Sequence, residues 1–205
     1  MRADSVVVLD FETTGMSPDY GDRVIEIGAV KVLDGVIIDE FQGLMNPGFR
    51  VNGFIEDFTG IDNVMLSKAP CCEEVMQKFQ IFLGDANLVA HNASFDKRFL
   101  DAEFNKICAD YSGRFACSML LARRIYQEAP NHKLGTLVEY RNIQHDGVFH
   151  RALADAQMTA KLWLAMLEDM GNQYQCWDVP FTFIEKLSKT PKKSVSKVLS
   201  QYAFV

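Results

Sequence analysis

The chain has 205 residues, 48% of them apolar and 23% charged, and a net charge of −6. These values describe one ordinary globular domain with a full core, and the charge excludes a globally basic nucleic-acid binder. No apolar run approaches the ~20 residues that cross a bilayer, so no membrane partner is expected.

Met1-Arg2-Ala3-Asp4-Ser5 runs straight into an apolar stretch and leaves no room for a signal peptide. The cysteines at 71, 72, 108, 117 and 176 lack paired metal-ligand spacing and read as reduced thiols of a cytoplasmic protein. Val6-Val7-Val8-Leu9-Asp10-Phe11-Glu12 reads as a strand that Thr13-Thr14-Gly15 ends. Alternation places Asp10 and Glu12 on one face and Phe11 on the other. Two neighbouring carboxylates repel, more so when buried, and a hard cation such as Mg²⁺ or Mn²⁺ relieves them. A strand that surfaces and wets both acids is the alternative.

Residues 16–22 read as a loop, and Arg23 to Leu33 as a long strand. Asp34-Gly35 is a two-residue hairpin turn, which makes Val36 to Leu44 an antiparallel partner. A short helix is expected over 54–61, ended by Gly60, and a longer one from Pro70 to Gly84. Leu88-Val89-Ala90 is a buried strand ending at His91-Asn92, and a helix follows from Ala93 to Ile107. Its apolar row includes Leu100, Phe104 and Ile107, and four places before Leu100 stands Asp96. An acid on an inward row is costly unless it is paired or bound to metal, although a helix-border acid facing water also fits.

Arg114 to Cys117 is read as a further short strand, and Met119 to Gln127 and Leu134 to Tyr140 as helices. Residues 145–150 form a loop. A helix then runs from Arg151 to Met170, with Asp155 beside its apolar stripe and His150 just before it. Two short helices, 181–190 and 194–203, flank Pro191. Residues 179–205 carry Lys186, Lys189, Lys192, Lys193 and Lys197 against Glu185 alone, which reads as a nucleic-acid contact or a solvated basic face. Three strands followed by helices alternating with short strands indicate an α/β domain with a mixed sheet.

Taken singly, the acids and histidines have ordinary readings. His150 suits a hydrogen-bonded loop, His91 and Asn92 a strand end and helix cap, and Asp155 a first-turn acid favoured by the helix dipole. Together the motifs resemble a family. Asp10-Phe11-Glu12-Thr13-Thr14-Gly15, His91-Asn92-Ala93-Ser94-Phe95-Asp96 and His150-Arg151-Ala152-Leu153-Ala154-Asp155 are similar, in order and separation, to the three motifs of the DnaQ-like DEDDh 3′→5′ exonucleases. Within that family the chain resembles the proofreading epsilon-type and RNase T-type enzymes.

The resemblance spans about residues 5–168 and implies an RNase H-like fold, a mixed five-stranded sheet flanked by helices. Residues 1–177 would form the exonuclease domain, and 178–205 a basic C-terminal extension, helical and packed on or beside it. The resemblance further implies two divalent ions, Mg²⁺ or Mn²⁺. Asp10 would serve both ions, Glu12 and Asp155 one of them, and Asp96 the other. His150 would be the general base, Thr13, Thr14, Gly15 and Met16 would hold the terminal nucleotide, and His91, Asn92 and Phe95 would assist, with Phe95 fitting equally well as core. The expected function is removal of 5′-mononucleotides from 3′ ends, with single-stranded DNA favoured over RNA. RNA trimming and proofreading beside a DNA polymerase are the alternatives. A cysteine or serine hydrolase is disfavoured, because no Gly-x-Ser-x-Gly occurs.

Overall fold

The computed structural model describes residues 1–144, 147 and 151–202. Its sheet has five strands: β1 (Val6–Thr13), β2 (Val24–Leu33), β3 (Val36–Leu44), β4 (Asn87–Ala90) and β5 (Phe115–Cys117), in the order β3-β2-β1-β4-β5. The first three are antiparallel neighbours, while β4 runs parallel to β1 and β5 parallel to β4. This is the expected mixed sheet. The Asp34-Gly35 turn has φ values of 48° and 78°, the two left-handed residues that a tight hairpin of this twist requires.

The helices among the described residues are α1 (Gly53–Thr59), α2 (Asn63–Lys68), α3 (Cys72–Leu83), α4 (Ser94–Lys106), α5 (Ser118–Ile125), α6 (Leu134–Tyr140), α7 (Ala152–Tyr174), α8 (Phe181–Lys189) and α9 (Val195–Tyr202). None is long and apolar enough to cross a membrane. Helix α2 was not anticipated. It spans six residues, buries only Leu66, and is started by the Asp62 side chain accepting from the Met65 N–H at 2.7 Å. So short a segment has no periodicity to read.

Helix α7 also runs a turn beyond the expected end at Met170, through Gly171 to Tyr174. Gly171 is not a terminator here. The Trp177 ring packs against it, and any Cβ would overlap that ring. The chain leaves the helix instead at Gln175, with φ 58°.

Side-chain alternation divides the interior in two. Val6 and Val8 of β1 face a core built with α5, α7, α8 and α9, around Trp163 and Phe181. Val7, Leu9 and Phe11 face a second core with α3 and α4, around Phe79, Phe99 and Phe104. β1 is thus buried on both faces, as a central strand between helical layers must be. Asp10 and Glu12 share the α7 face with Val6 and Val8.

Residues 181–199 are part of the first core, where Phe181, Ile184, Leu187, Val195 and Leu199 are all buried. Removing five such side chains forfeits about 1.5–3 kcal/mol each, comparable with the ~5–15 kcal/mol net stability of a domain. Truncation after Trp177 is therefore expected to leave a chain without a cooperative melt. A thermal scan followed by circular dichroism checks this, and a truncated chain that melts like the parent would contradict the packing role of α8 and α9.

Candidate active site

The strands β1 and β4 are parallel, and β4 ends at Ala90, one place beyond the Val8–Val89 pair, so the last residues of β1 and the start of the helix after β4 meet at one edge of the sheet. Asp10 and Glu12 come from β1, and Asp96 from the first turn of α4. Asp155 comes from the first turn of α7. Carboxylate oxygens of Asp10, Glu12 and Asp155 all lie within 4.8 Å of one another. Asp96 is 2% exposed, as its inward row required, and its charge adds to the repulsion felt by Asp10.

Two residues of β2 bring α7 down onto this edge. In the β1–β2 ladder Asp10 is opposite Gly28 and Glu12 is opposite Glu26. A Cβ at Gly28 would overlap the backbone of Ala152 and Leu153, so glycine here lets the start of α7 touch the sheet. Glu26 is fully buried and accepts hydrogen bonds from the Arg151 guanidinium at 2.7 and 3.1 Å. It also accepts from the Ala152 N–H at 3.0 Å and the Gln42 amide at 2.9 Å.

Crowding raises the proton affinity of the acids. Burial, then the charges of Asp96, Asp155 and Glu12, holds the Asp10 carboxyl well above the usual carboxylate range. Burial pushes Glu12 up to about 8, with Asp155 and Glu26 adding to it and Arg151 opposing. Burial likewise takes Asp96 up to about 7, against the pull of the N–H groups of Asp96 itself and Phe11. The donor set is all oxygen, clustered, and charge-burdened. That fits a hard divalent cation, which lowers the energy of the ionised carboxylates.

A cavity of about 550 Å³ opens beside the acids, lined by Asp10, Glu12 and Asp96 together with Thr13, Thr14, Gly15, Met16, His91 and Phe95. The 13–17 loop is held by Asp22, which accepts from the Thr14 hydroxyl at 3.2 Å and the Ser17 N–H at 3.0 Å. The Thr13 hydroxyl donates to the Gly15 carbonyl at 2.6 Å. These hydroxyls serve the loop itself, and a Cβ at Gly15 would overlap the Asp22 carboxylate. Met16 presents a side chain that is 75% exposed.

His91 is committed within the protein. Its Nε2 meets the His132 carbonyl at 2.9 Å and its Nδ1 the Ser118 hydroxyl at 2.9 Å. A carbonyl only accepts, so Nε2 carries the proton and Nδ1 accepts. Burial lowers the imidazole to about 4, which keeps it neutral. Asn92 is exposed and absent from the cavity wall; it turns the chain into α4 with φ 68°, a conformation asparagine tolerates. Phe95 lines the cavity and also packs on Phe99, at 4.9 Å between ring centres, so it belongs to both cavity and core. His150 lies outside the described residues.

Sequence reasoning expected α1, a short helix ended by Gly60, but missed its place in the site. Asn52, Phe54, Ile55, Phe58 and Thr59 form the opposite wall of the cavity. The Phe54 and Phe58 rings are stacked, 5.9 Å apart and 11° from parallel, yet 73% and 47% exposed. An i, i+4 aromatic pair on a helix whose inner face is supplied by Ile55 and Thr59 was the available signal.

Comparison with known proteins places this edge of the sheet in context. The exonuclease family matches residues 7–163. The chain is 41% identical over 166 residues to a DNA polymerase III PolC-type of Caldanaerobacter subterraneus subsp. tengcongensis, covering 80% of this chain and 12% of the relative. It is 40% identical over 178 residues to that of Bacillus subtilis, covering 84% and 12%. It therefore spans about an eighth of the length of these curated relatives. Among solved structures, Exonuclease X in complex with 5′ overhanging duplex DNA has a TM-score of 0.66 at 24% identity, covering 95% of this chain and 99% of that one. The nuclease domain of 3′hExo, a DEDDh family member, bound to rAMP, has a TM-score of 0.70 at 21% identity, covering 81% and 92%. The chain belongs to the exonuclease family, and it has the RNase H-like fold of the solved exonucleases.

Proposed function

We propose that the chain removes nucleotides one at a time from the 3′ end of single-stranded DNA, releasing 5′-mononucleotides, and that it does so as the proofreading exonuclease of a DNA polymerase in the cytoplasm. The observation that carries this reading is the cluster of three carboxylates within 4.8 Å at the mouth of a cavity with an exposed aromatic wall. The polymerase names of the relatives support DNA and a polymerase context. The rAMP-bound structural neighbour keeps RNA trimming as the second reading.

Asp10, Glu12 and Asp155 would hold one divalent ion, with Asp10 and Asp96 holding a second, Mg²⁺ or Mn²⁺ in each case. When bound, such ions lower the pKa of a water nucleophile and neutralise charge at the leaving 3′-oxygen. The chain supplies the rest. His150 takes the proton of the attacking water, since imidazole titrates near neutral pH. The backbone of Thr13 to Met16, fixed by Asp22, sets where the terminal sugar rests. Met16, Phe54 and Phe58 offer exposed apolar and aromatic surface to the terminal bases, a contact that needs no particular sequence. A base in that stack is not paired, so the wall selects frayed or single-stranded ends. Residues 178–202 complete the same folded unit, with their lysines on its surface.

A matched assay tests the reading: one sequence as DNA and as RNA, labelled at either end, with Mg²⁺ or EDTA. Stepwise loss from the 3′ end of DNA, abolished by EDTA, is expected. Degradation of RNA alone would overturn the DNA assignment.

The charge burden makes a thermal prediction. Between about pH 4 and 8 the folded protein keeps protons on Asp96 and Glu12 that the unfolded chain has released. Stability without metal is thus greatest at the acid end of that window and is lost as pH rises through the folded values. In EDTA the melting temperature is expected to be higher at pH 6 than at pH 8. Asp10→Asn should raise it at pH 8, remove the rise that Mg²⁺ gives the parent protein, and abolish hydrolysis. An Asp10→Asn protein with a parental response to Mg²⁺ would refute the metal assignment.

His150→Ala is expected to lower kcat about 10²–10⁴-fold with little change in KM. The double change Phe54→Ala, Phe58→Ala should act the other way. Each lost stack is worth about 1–3 kcal/mol, so KM for single strands rises at least ~10-fold while kcat falls much less. Steady-state kinetics on one oligonucleotide separates the two, and equal losses of kcat would contradict the wall's binding role.

A further inference from the structure

We propose that Glu26 and Arg151 are a positioning pair that sets Asp155 at the correct distance from Asp10 and Glu12. The inference rests on reading Asp155 as a member of the metal-holding set.

Three observations carry it. The first is that α7 has no cap of its own: Arg151 occupies the N-cap position without a side-chain hydrogen bond to the helix. The Ala152 N–H is satisfied from another strand, by Glu26 at 3.0 Å. Asp155 lies one turn further on, its N–H bonded to the Arg151 carbonyl at 3.0 Å. The grip on residues 151 and 152 therefore fixes the turn that carries Asp155.

The second is that the grip is two-pronged. Arg151 Nη2 reaches one Glu26 oxygen at 2.7 Å and Nε the other at 3.1 Å, a fork that fixes orientation as well as distance. The Gln42 amide at 2.9 Å holds the same carboxylate from β3. Gly28, two residues along β2 on the same face, removes the bulk that would lift the helix away.

The third is electrostatic. Glu26 stands directly across the ladder from Glu12, two acids on one face. The Arg151 charge offsets Glu26 and also draws on Glu12. Arg151 thus offsets part of the effect that Glu26 has on Glu12 across the ladder.

A brace that served folding alone would alter stability and leave the site unchanged. The test therefore uses Glu26→Gln with Arg151→Met in the full chain, a neutral replacement of both partners, which proteins often tolerate with little loss of stability. Three quantities are measured: Mn²⁺ affinity by calorimetry, amide hydrogen exchange at 152–156 in metal-free protein, and kcat and KM on a single-stranded oligodeoxynucleotide. The expected result is faster exchange at Ala152, Mn²⁺ affinity weakened about 10–100-fold, and kcat lowered to a similar degree at nearly constant KM. Parental Mn²⁺ affinity and kcat would overturn the proposal.

If the double variant does not fold, Arg151→Lys keeps the charge and loses the fork. It should weaken Mn²⁺ binding several-fold, and parental binding would again overturn the proposal. Asp155→Asn is run alongside. Full activity in that variant refutes the site reading itself, whereas an inactive Asp155→Asn beside a normal double variant refutes only the positioning pair.

Discussion

Mutual repulsion among carboxylates at the end of β1 is the constraint on which the rest of the structure depends. Left to itself, a chain would turn Asp10, Glu12, Asp96 and Asp155 apart into water. Here each is fixed by an element that has no freedom to turn. β1 is clamped between β2 and β4 and buried on both faces by Val6, Val7, Val8, Leu9 and Phe11. Asp96 rides on α4, whose Phe99, Leu100 and Phe104 are buried in the second core. Asp155 rides on α7, anchored by Trp163, whose indole N–H donates to the Ala3 carbonyl at 2.7 Å. A fully buried side chain of this size stabilises by about 1.5–3 kcal/mol, so two cores of such residues outweigh the cost of holding the acids together.

Electrostatic placement follows from the same constraint. A cation from the protein itself at the centre of the four acids would relieve the strain and occupy the position a metal needs. The Arg151 guanidinium, which acts on Glu12, is held by Glu26, and its effect on Glu12 is secondary to burial. His91, the imidazole that lines the cavity, is held neutral by burial between Ser118 and His132. The acids are therefore relieved either by keeping protons or by a divalent cation that takes the place of those protons.

Much of this was legible in the sequence because it is local. Alternation in 6–12 put two acids on one face, the Asp34-Gly35 turn gave the hairpin, and the helical row through Leu100 turned Asp96 inward. The three motifs named the family. What was not legible depends on distant partners or on exposure. Glu26 and Arg151 are 125 residues apart, and nothing in Ile25-Glu26-Ile27 distinguishes a clamped glutamate from a solvated one. Gly171 looked like a helix end because glycine usually is one there, whereas its reason is the Trp177 ring. The place of Phe54 and Phe58 on a cavity wall was not legible either, since periodicity cannot tell which apolar face lacks a neighbour.

That last point separates the two halves of the site. The acids sit on rigid strands and helix starts, where a motif of a few residues fixes their geometry. The aromatic wall of the cavity is a seven-residue helix stopped by Gly60 with φ 70° and started by the Asn52 side chain accepting from the Ile55 N–H at 3.1 Å. Its hold on the body is the small cluster of Ile25, Val51, Ile55, Ile61 and Leu66, separate from both main cores. The carboxylates are thus built into the sheet edge and its helix starts, while the exposed aromatic wall is left to a short helix on a core of its own. Substitutions on α1 can reshape the cavity wall without moving the carboxylates, which ride on β1, α4 and α7. The reverse does not hold, because any shift of β1 moves Thr13 to Met16, and that part of the cavity lining moves with it.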